Sequence, residues 1–216
     1  MKIIEDLKTK LKKYRTPAKF LHLYTLSNEY LKQKAWFEST FKRQSVGQNG
    51  AIPWFTYSMI SFLEPRLKRH FNVFEFGSGN STIWFAQRVN KVISIEHDKE
   101  YFDFISKELN KYPNVDHRFT EIGKNYNGQI LNYKNEFEII IIDGRERVQC
   151  AKNSVNALTT NGIIIWDNAD RQKYQEGYEF LNELGFKRID FFGLAPIAYK
   201  ETCTTIFYRE GNCLGI

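Results

Sequence analysis

The stretch Val73-Phe74-Glu75-Phe76-Gly77-Ser78-Gly79-Asn80-Ser81-Thr82 constrains this chain more than any other. An apolar run ends in an acidic residue and a Gly-x-Gly bend, and a polar pair able to cap a helix follows at once. A buried parallel strand passes into a helix in this way, and the two glycines let backbone N–H groups approach a ligand where a Cβ would clash. Around this stretch, strand and helix patterns alternate. Strands are expected at 73–76, 92–96, 115–120, 137–143, 163–166, 186–192 and 204–209, and helices at 82–89, 99–110, 147–158 and 174–184. The run Ile139-Ile140-Ile141-Ile142 is too apolar for a sheet edge. Repeated strand–helix units imply a parallel sheet covered on both faces, and the last two strands, with no helix between them, should pair antiparallel. Ahead of these units, helices are expected at 17–44 and at 52–67, the second with Pro53 in its first turn, separated by a loop at 47–50.

The detail of the bend discriminates between ligands. A dinucleotide fingerprint wants a third Gly or Ala three residues after the second, beside a pyrophosphate. Here that place holds Thr82, and Glu75 precedes the bend. A carboxylate there repels a pyrophosphate but suits an ammonium or a sulfonium. Glu75-Phe76-Gly77-Ser78-Gly79 resembles the first motif of the class I S-adenosylmethionine-dependent methyltransferases. The resemblance covers about residues 52–209. It implies an α/β fold: a Rossmann-like, doubly wound, seven-stranded and mostly parallel sheet with an antiparallel last strand, here with N-terminal helices added. It also divides the chain into a helical extension, 1–50, and a methyltransferase domain, 51–216.

The bulk properties fit that frame. At 216 residues and 42% hydrophobic content the chain can bury the core of one α/β domain. No apolar run approaches the roughly 20 residues needed to span a bilayer, and the opening Met1-Lys2-Ile3-Ile4-Glu5-Asp6 does not read as a secretory signal. Three scattered cysteines, Cys150, Cys203 and Cys213, fit a reducing cytoplasm and neither a disulfide framework nor a zinc site. The net charge is +6, with Lys8, Lys10, Lys12, Lys13, Arg15 and Lys19 clustered near the start. Ile3, Ile4, Leu7 and Leu11 recur there at helical spacing, so a basic amphipathic helix is expected. Its polar face is either a solvated surface or an attractor for an anionic partner.

Ligands of open α/β sheets bind where strands end. Glu96, about 20 positions past the glycines, is the expected grip on a ribose diol, and His97 is placed to flank an adenine ring. Asp98 suits a helix N-cap. The resemblance puts Thr120 or Glu121, after the third strand, against adenine. The expected donor site is thus Glu75, Gly77, Ser78, Gly79, Asn80, Ser81, Glu96, His97, Thr120 and Asp143, holding S-adenosylmethionine.

The fourth strand ends in Asp143, followed by Gly144-Arg145-Glu146-Arg147, and the fifth in Trp166-Asp167-Asn168. This pattern resembles the divalent-metal site of catechol-type and caffeoyl-CoA-type O-methyltransferases. It implies Mg²⁺ on the hard oxygen donors Asp143, Asp167 and Asn168. That pattern also has a lysine three positions after the first Asp, where this chain has Glu146. Without a metal, Asp143 or Asp167 can act as the base, with Arg145 orienting an anionic substrate. The loop Gly193–Thr202, with Trp54, Phe55 and Tyr57, is the expected acceptor pocket. The function expected is O-methylation of a small hydroxylated metabolite or sugar. Turns typical of nucleic-acid base methylation are absent, so a nucleic-acid partner rests only on basic charge. The alternatives left open are a macromolecule methyltransferase and a non-catalytic nucleotide-binding module.

Overall fold

The computed structural model describes residues 17–216. The expected basic helix over residues 1–16 lies outside the described residues. Two helices come first, α1 (Pro17–Gln33) and α2 (Trp36–Lys42). A two-stranded hairpin follows, β1 (Val46–Gly47) and β2 (Gly50–Ala51), and then α3 (Tyr57–Leu63). The main sheet is built from β3 (Asn72–Phe76), β4 (Lys91–Glu96), β5 (Val115–Phe119), β6 (Phe137–Ile142), β7 (Leu158–Asp167), β8 (Lys187–Gly193) and β9 (Thr202–Tyr208). Its intervening helices are α4 (Asn80–Ala86), α5 (Lys99–Leu109), α6 (Arg147–Ser154) and α7 (Gln175–Glu183).

The strand order is β5-β4-β3-β6-β7-β9-β8. The first five are parallel, and β9 runs antiparallel to both β7 and β8. The order reverses direction between β3 and β6, which makes their carboxyl ends the switch point of the sheet. Alternation along each strand divides the core. Phe74, Phe76, Ile140, Ile142, Ile164 and Trp166 face one cluster with Tyr178 and Leu181 of α7. Val73, Ile139, Ile141, Ile163 and Ile165 face the other with Trp84 and Phe85 of α4 and Met59 and Leu63 of α3. The four-isoleucine run is therefore apolar throughout because both faces of β6 are covered. At about 1.5–3 kcal/mol per buried aliphatic side chain, such central strands dominate the stability of the sheet.

The expected long helix over 17–44 is broken at Ala35, whose φ of 53° is left-handed. Its second half, α2, turns toward the sheet: Trp36 Nε1 donates to Ala198 O at 3.0 Å. The hairpin follows, and Asn80 Nδ2 reaches Ser45 O at 2.7 Å. The helix expected from Ile52 begins only at Tyr57. Pro53 lies outside it, and Thr56 is the N-cap, accepting from Met59 N through its hydroxyl. Tertiary bonds fix that start: Thr56 N donates to Thr204 Oγ1 at 3.1 Å and Tyr57 N to Leu194 O at 2.9 Å. The three cysteines are buried and unpaired. Among the described residues no helix is long and apolar enough to cross a membrane.

Candidate active site

Register sets up the ground beneath the Gly-x-Gly bend. Glu75 on β3 pairs with Ser94 on β4, and Ser94 with His117 on β5. A polar row thus crosses three strands. Glu75 is 1% exposed. It accepts hydrogen bonds from Ser81 Oγ, Thr82 Oγ1 and, at 3.1 Å, Ser94 Oγ. Burial pushes its carboxyl up to about 7, against the lowering pull of the Ser81 and Thr82 hydroxyls. Ser78 folds its side chain down into the same row, 2.8 Å from Ser94 Oγ and 3.0 Å from His117 Nε2. His117 stacks on Phe102 at 4.3 Å, and burial pushes its imidazole down to about 4. It is neutral at pH 7, with one ring nitrogen donating and the other accepting between Ser78 Oγ and, at 3.0 Å, Ser106 Oγ. Ser94 and His117 went unassigned in the sequence; the one visible signal was a serine inside the apolar run Val92–Ile95.

Glu96 closes the other side of the bend. Its carboxylate accepts from Ser78 N at 3.0 Å, His97 N at 2.8 Å and Asp98 N at 2.9 Å. The expected ribose grip is therefore already bonded to the backbone of the loop, with lone-pair capacity left on Oε2. His97 Nδ1 lies 2.9 Å from Glu96 Oε1. Asp98 caps α5 through Tyr101 N at 3.0 Å. Thr120, half-buried past β5, donates its N–H to Glu96 O at 2.9 Å.

A first cleft of about 370 Å³ opens above this floor. Ser78, Gly79, Asn80, Ser81 and Asp143 line it from the sheet side, and Tyr101 from α5. Its far wall comes from α2 and the residues after it, Lys42 to Ser45, with Trp54 and Ile197. Tyr101 Oη stands 3.1 Å from where a Cβ on Gly79 would project, and burial pushes this phenol up to about 12. Gly77 has φ +97°, and a Cβ there would come within 3.2 Å of Gly144 N. A Cβ on Gly144 would meet Tyr126 Oη at 2.0 Å. These two glycines bring the loop after β3 against the loop after β6.

A second chamber of about 670 Å³ adjoins the first and shares Trp54, Asp143 and Ile197 with it. His97, Arg145, Asp167, Asn168 and Arg171 line it, with Ala195, Ala198, Tyr199, Lys200 and Thr202 from the loop before β9. Phe55 and Tyr57, expected in this pocket, are instead 0% and 3% exposed and pack in the core with α3. Trp54 is 50% exposed and forms the partition between the two spaces.

Arg147 decides the chemistry of the expected metal site. Its guanidinium, 7% exposed, lies between the ends of β6 and β7. Nε donates to Gly144 O at 2.9 Å, Nη1 to Asp167 O, and Nη2 to Asp143 O and, at 3.0 Å, Asp143 Oδ1. Asp167 Oδ1 accepts from Thr204 Oγ1 at 2.7 Å, and Asn168 Nδ2 points to Thr202 Oγ1 at 3.5 Å. The cation expected among Asp143, Asp167 and Asn168 is thus supplied by the chain itself. A divalent ion on Asp143 would sit against this buried guanidinium, which already takes up Asp143 Oδ1, so these residues fit Mg²⁺ poorly. Among the described residues no group of three His, Cys, Asp and Glu side chains is arranged to hold a metal ion. Asp143 keeps 30% of its side chain exposed, toward both spaces. Burial raises both carboxyls, Asp143 against the pull of Arg147 and Arg171, and the charge of Asp143 raises Asp167 further.

No protein-family model matches this sequence, and no curated protein sequence matches it. Solved structures do. A precorrin-6y C5,15-methyltransferase from Geobacter metallireducens superposes with a TM-score of 0.58 at 13% identity, over 71% of this chain and 87% of that one. A Streptococcus mutans protein in complex with SAH gives 0.53 at 16%, over 68% and 94%. An rRNA methylase from Streptococcus thermophilus gives 0.50 at 14%, over 69% and 93%. The fold is that of the class I S-adenosylmethionine-dependent methyltransferases.

Proposed function

We propose that this protein is an S-adenosylmethionine-dependent methyltransferase acting on a hydroxyl group of a small metabolite or sugar. One observation carries the reading: the strand-side lining of the first cleft, at the switch point of the sheet, is backed by carboxyl groups, with Lys42 and Arg43 on the facing wall. Asp143 stands in its wall. Glu75 and Glu96 lie one hydrogen bond behind it, on Ser81 Oγ and Ser78 N. Such a lining favours a sulfonium and an ammonium and disfavours a pyrophosphate. The SAH bound to the Streptococcus mutans protein of the same fold supports the same donor.

Bound there, S-adenosylmethionine supplies an electrophilic methyl group. Asp143, common to both spaces, is then the residue between donor and acceptor. It would accept the proton of the acceptor hydroxyl as that oxygen takes up the methyl group the donor supplies. Arg147 holds the carboxylate in place, and Trp54, Ile197 and Tyr199 line the chamber beside it. Asp167, fixed by Thr204, sets the charge beside Asp143. Arg145 lines the acceptor chamber, where it orients an anionic substrate.

Calorimetry with S-adenosylhomocysteine and with NAD tests the reading. Saturable binding of the first, weakened about tenfold or more in Glu96→Ala as the loop amides lose their acceptor, is expected. Uptake of NAD in place of S-adenosylhomocysteine refutes it. On a pool of hydroxylated metabolites, Asp143→Asn should lower turnover by about 10²–10⁴-fold with donor affinity retained.

A further inference from the structure

We infer that the acceptor carries a phosphate group, which sits outside the reaction chamber on Arg145, Arg171 and Lys173. The inference rests on the methyl-transfer reading of the chamber beside it. A third cleft, of about 390 Å³, lies between the loop after β6 and the loop after β7. Five cations and two carboxylates line it. Two of those cations are engaged: Arg147 on Asp143, and Lys152 on Glu176 at 2.6 Å. The other carboxylate, Glu146, accepts from Asn127 Nδ2 at 2.6 Å. Among the described residues Arg145, Arg171 and Lys173 form no ion pair.

These three cations share one cleft outside any salt bridge, and their mutual repulsion is only partly offset by Glu146 in the same cleft and by the nearby Asp143. Two guanidinium forks and an ammonium offer many donors that, among the described residues, no salt bridge takes up. That set matches the oxygen-rich, doubly charged surface of a phosphate better than a single carboxylate. The cleft is continuous with the reaction chamber, since Gly144, Arg145, Arg147 and Arg171 line both. A molecule anchored by its phosphate there can extend a hydroxyl toward Asp143. Lys200 faces the chamber from the opposite loop and adds to the attraction. The positive surface does not continue as a track. Glu176, 72% exposed, and Glu146 stand in the same cleft and would repel the next phosphates of a polynucleotide. A small phosphate ester fits; a nucleic-acid strand does not.

Calorimetry of the full chain with inorganic pyrophosphate as the probe tests this, on the native protein and on Arg171→Ala/Lys173→Ala. S-adenosylhomocysteine is titrated into both. The expected result is one pyrophosphate site, about 100-fold weaker in the double variant, with S-adenosylhomocysteine affinity equal in both and no competition between the two ligands. Equal pyrophosphate binding in both proteins, no saturation, or competition with S-adenosylhomocysteine overturns the inference. So does a single-stranded RNA oligonucleotide that displaces pyrophosphate with a steep salt dependence. If pyrophosphate behaves as expected while S-adenosylhomocysteine fails to bind, the donor reading falls and the phosphate seat stands.

Discussion

Replacing Arg147 by Met tests the inner frame of the site. Methionine fills a similar volume but removes the donors that hold Gly144 O, Asp167 O, Asp143 O and Asp143 Oδ1. It leaves the Asp143–Asp167 pair with no cation between the two strand ends. Breaking one side of a buried ion pair costs about 3–5 kcal/mol, because the remaining charge stays desolvated. A domain of this kind has about 5–15 kcal/mol in hand. With a urea m-value of about 3 kcal/mol per M, the unfolding midpoint should fall by about 1–2 M. Arg147→Lys keeps the charge but not the planar fork, so it should recover only part of that loss. The same titration with 10-fold Mg²⁺ over protein, about equimolar to or above any tight site, should leave the native midpoint unchanged. A midpoint shift below about 0.3 M in Arg147→Met, on the same slope, would show that the guanidinium is not the cation that joins β6 to β7.

Three further outcomes follow from other parts of the structure. Donor affinity and turnover should be unchanged by EDTA or by added Mg²⁺, because Arg147 already serves Asp143; activity abolished by the chelator and restored by the ion refutes this. Glu75 has a folded-state carboxyl raised from 4.5 to about 7. Between those values the unfolded chain binds fewer protons than the folded one, so stability should fall as pH rises through that window. Glu75→Gln should flatten this part of the urea-midpoint profile, and an unaltered profile would assign the slope elsewhere. Gly177→Ala places a Cβ 2.6 Å from Trp166 Cη2, whose ring is wedged against Tyr174 and Tyr178. Overpacking of this kind costs about 1–3 kcal/mol, read as a melting-point drop of about 2–4 °C per kcal/mol; an unchanged melting point would show that α7 yields freely.

The central strands were legible because their apolar runs need cover on both faces, as Ile139–Ile142 shows. The Gly-x-Gly bend and the acidic ends of β4, β6 and β7 were legible because such residues are out of place in a strand interior. Less visible was how those carboxylates are satisfied. Glu75 is bonded to three hydroxyls that only the register of β3 with β4 and the turn of α4 bring together. Arg147 read as the residue after a missing lysine, yet it opens α6 just past the loop that follows Asp143, and its side chain bridges the ends of two strands. The break at Ala35 has no glycine or proline to announce it. Thr56, and not Pro53, begins α3 because β9 supplies Thr204, 148 residues away, as the partner of its N–H.

The contact between Gly77 and Gly144 has a mechanical consequence. Two turns that touch through backbone alone have no side chain to rotate aside, and each is anchored at its root by a central strand. That flank of the cavity can neither swell nor recede without moving the sheet. Room for a ligand to enter or leave must come from the facing rim, where Trp36 is pinned to Ala198 O and edge-on to Tyr199. Any change in the width of this cavity is thereby left to the segments that precede and follow the parallel core, where Trp54 and Tyr199 line it.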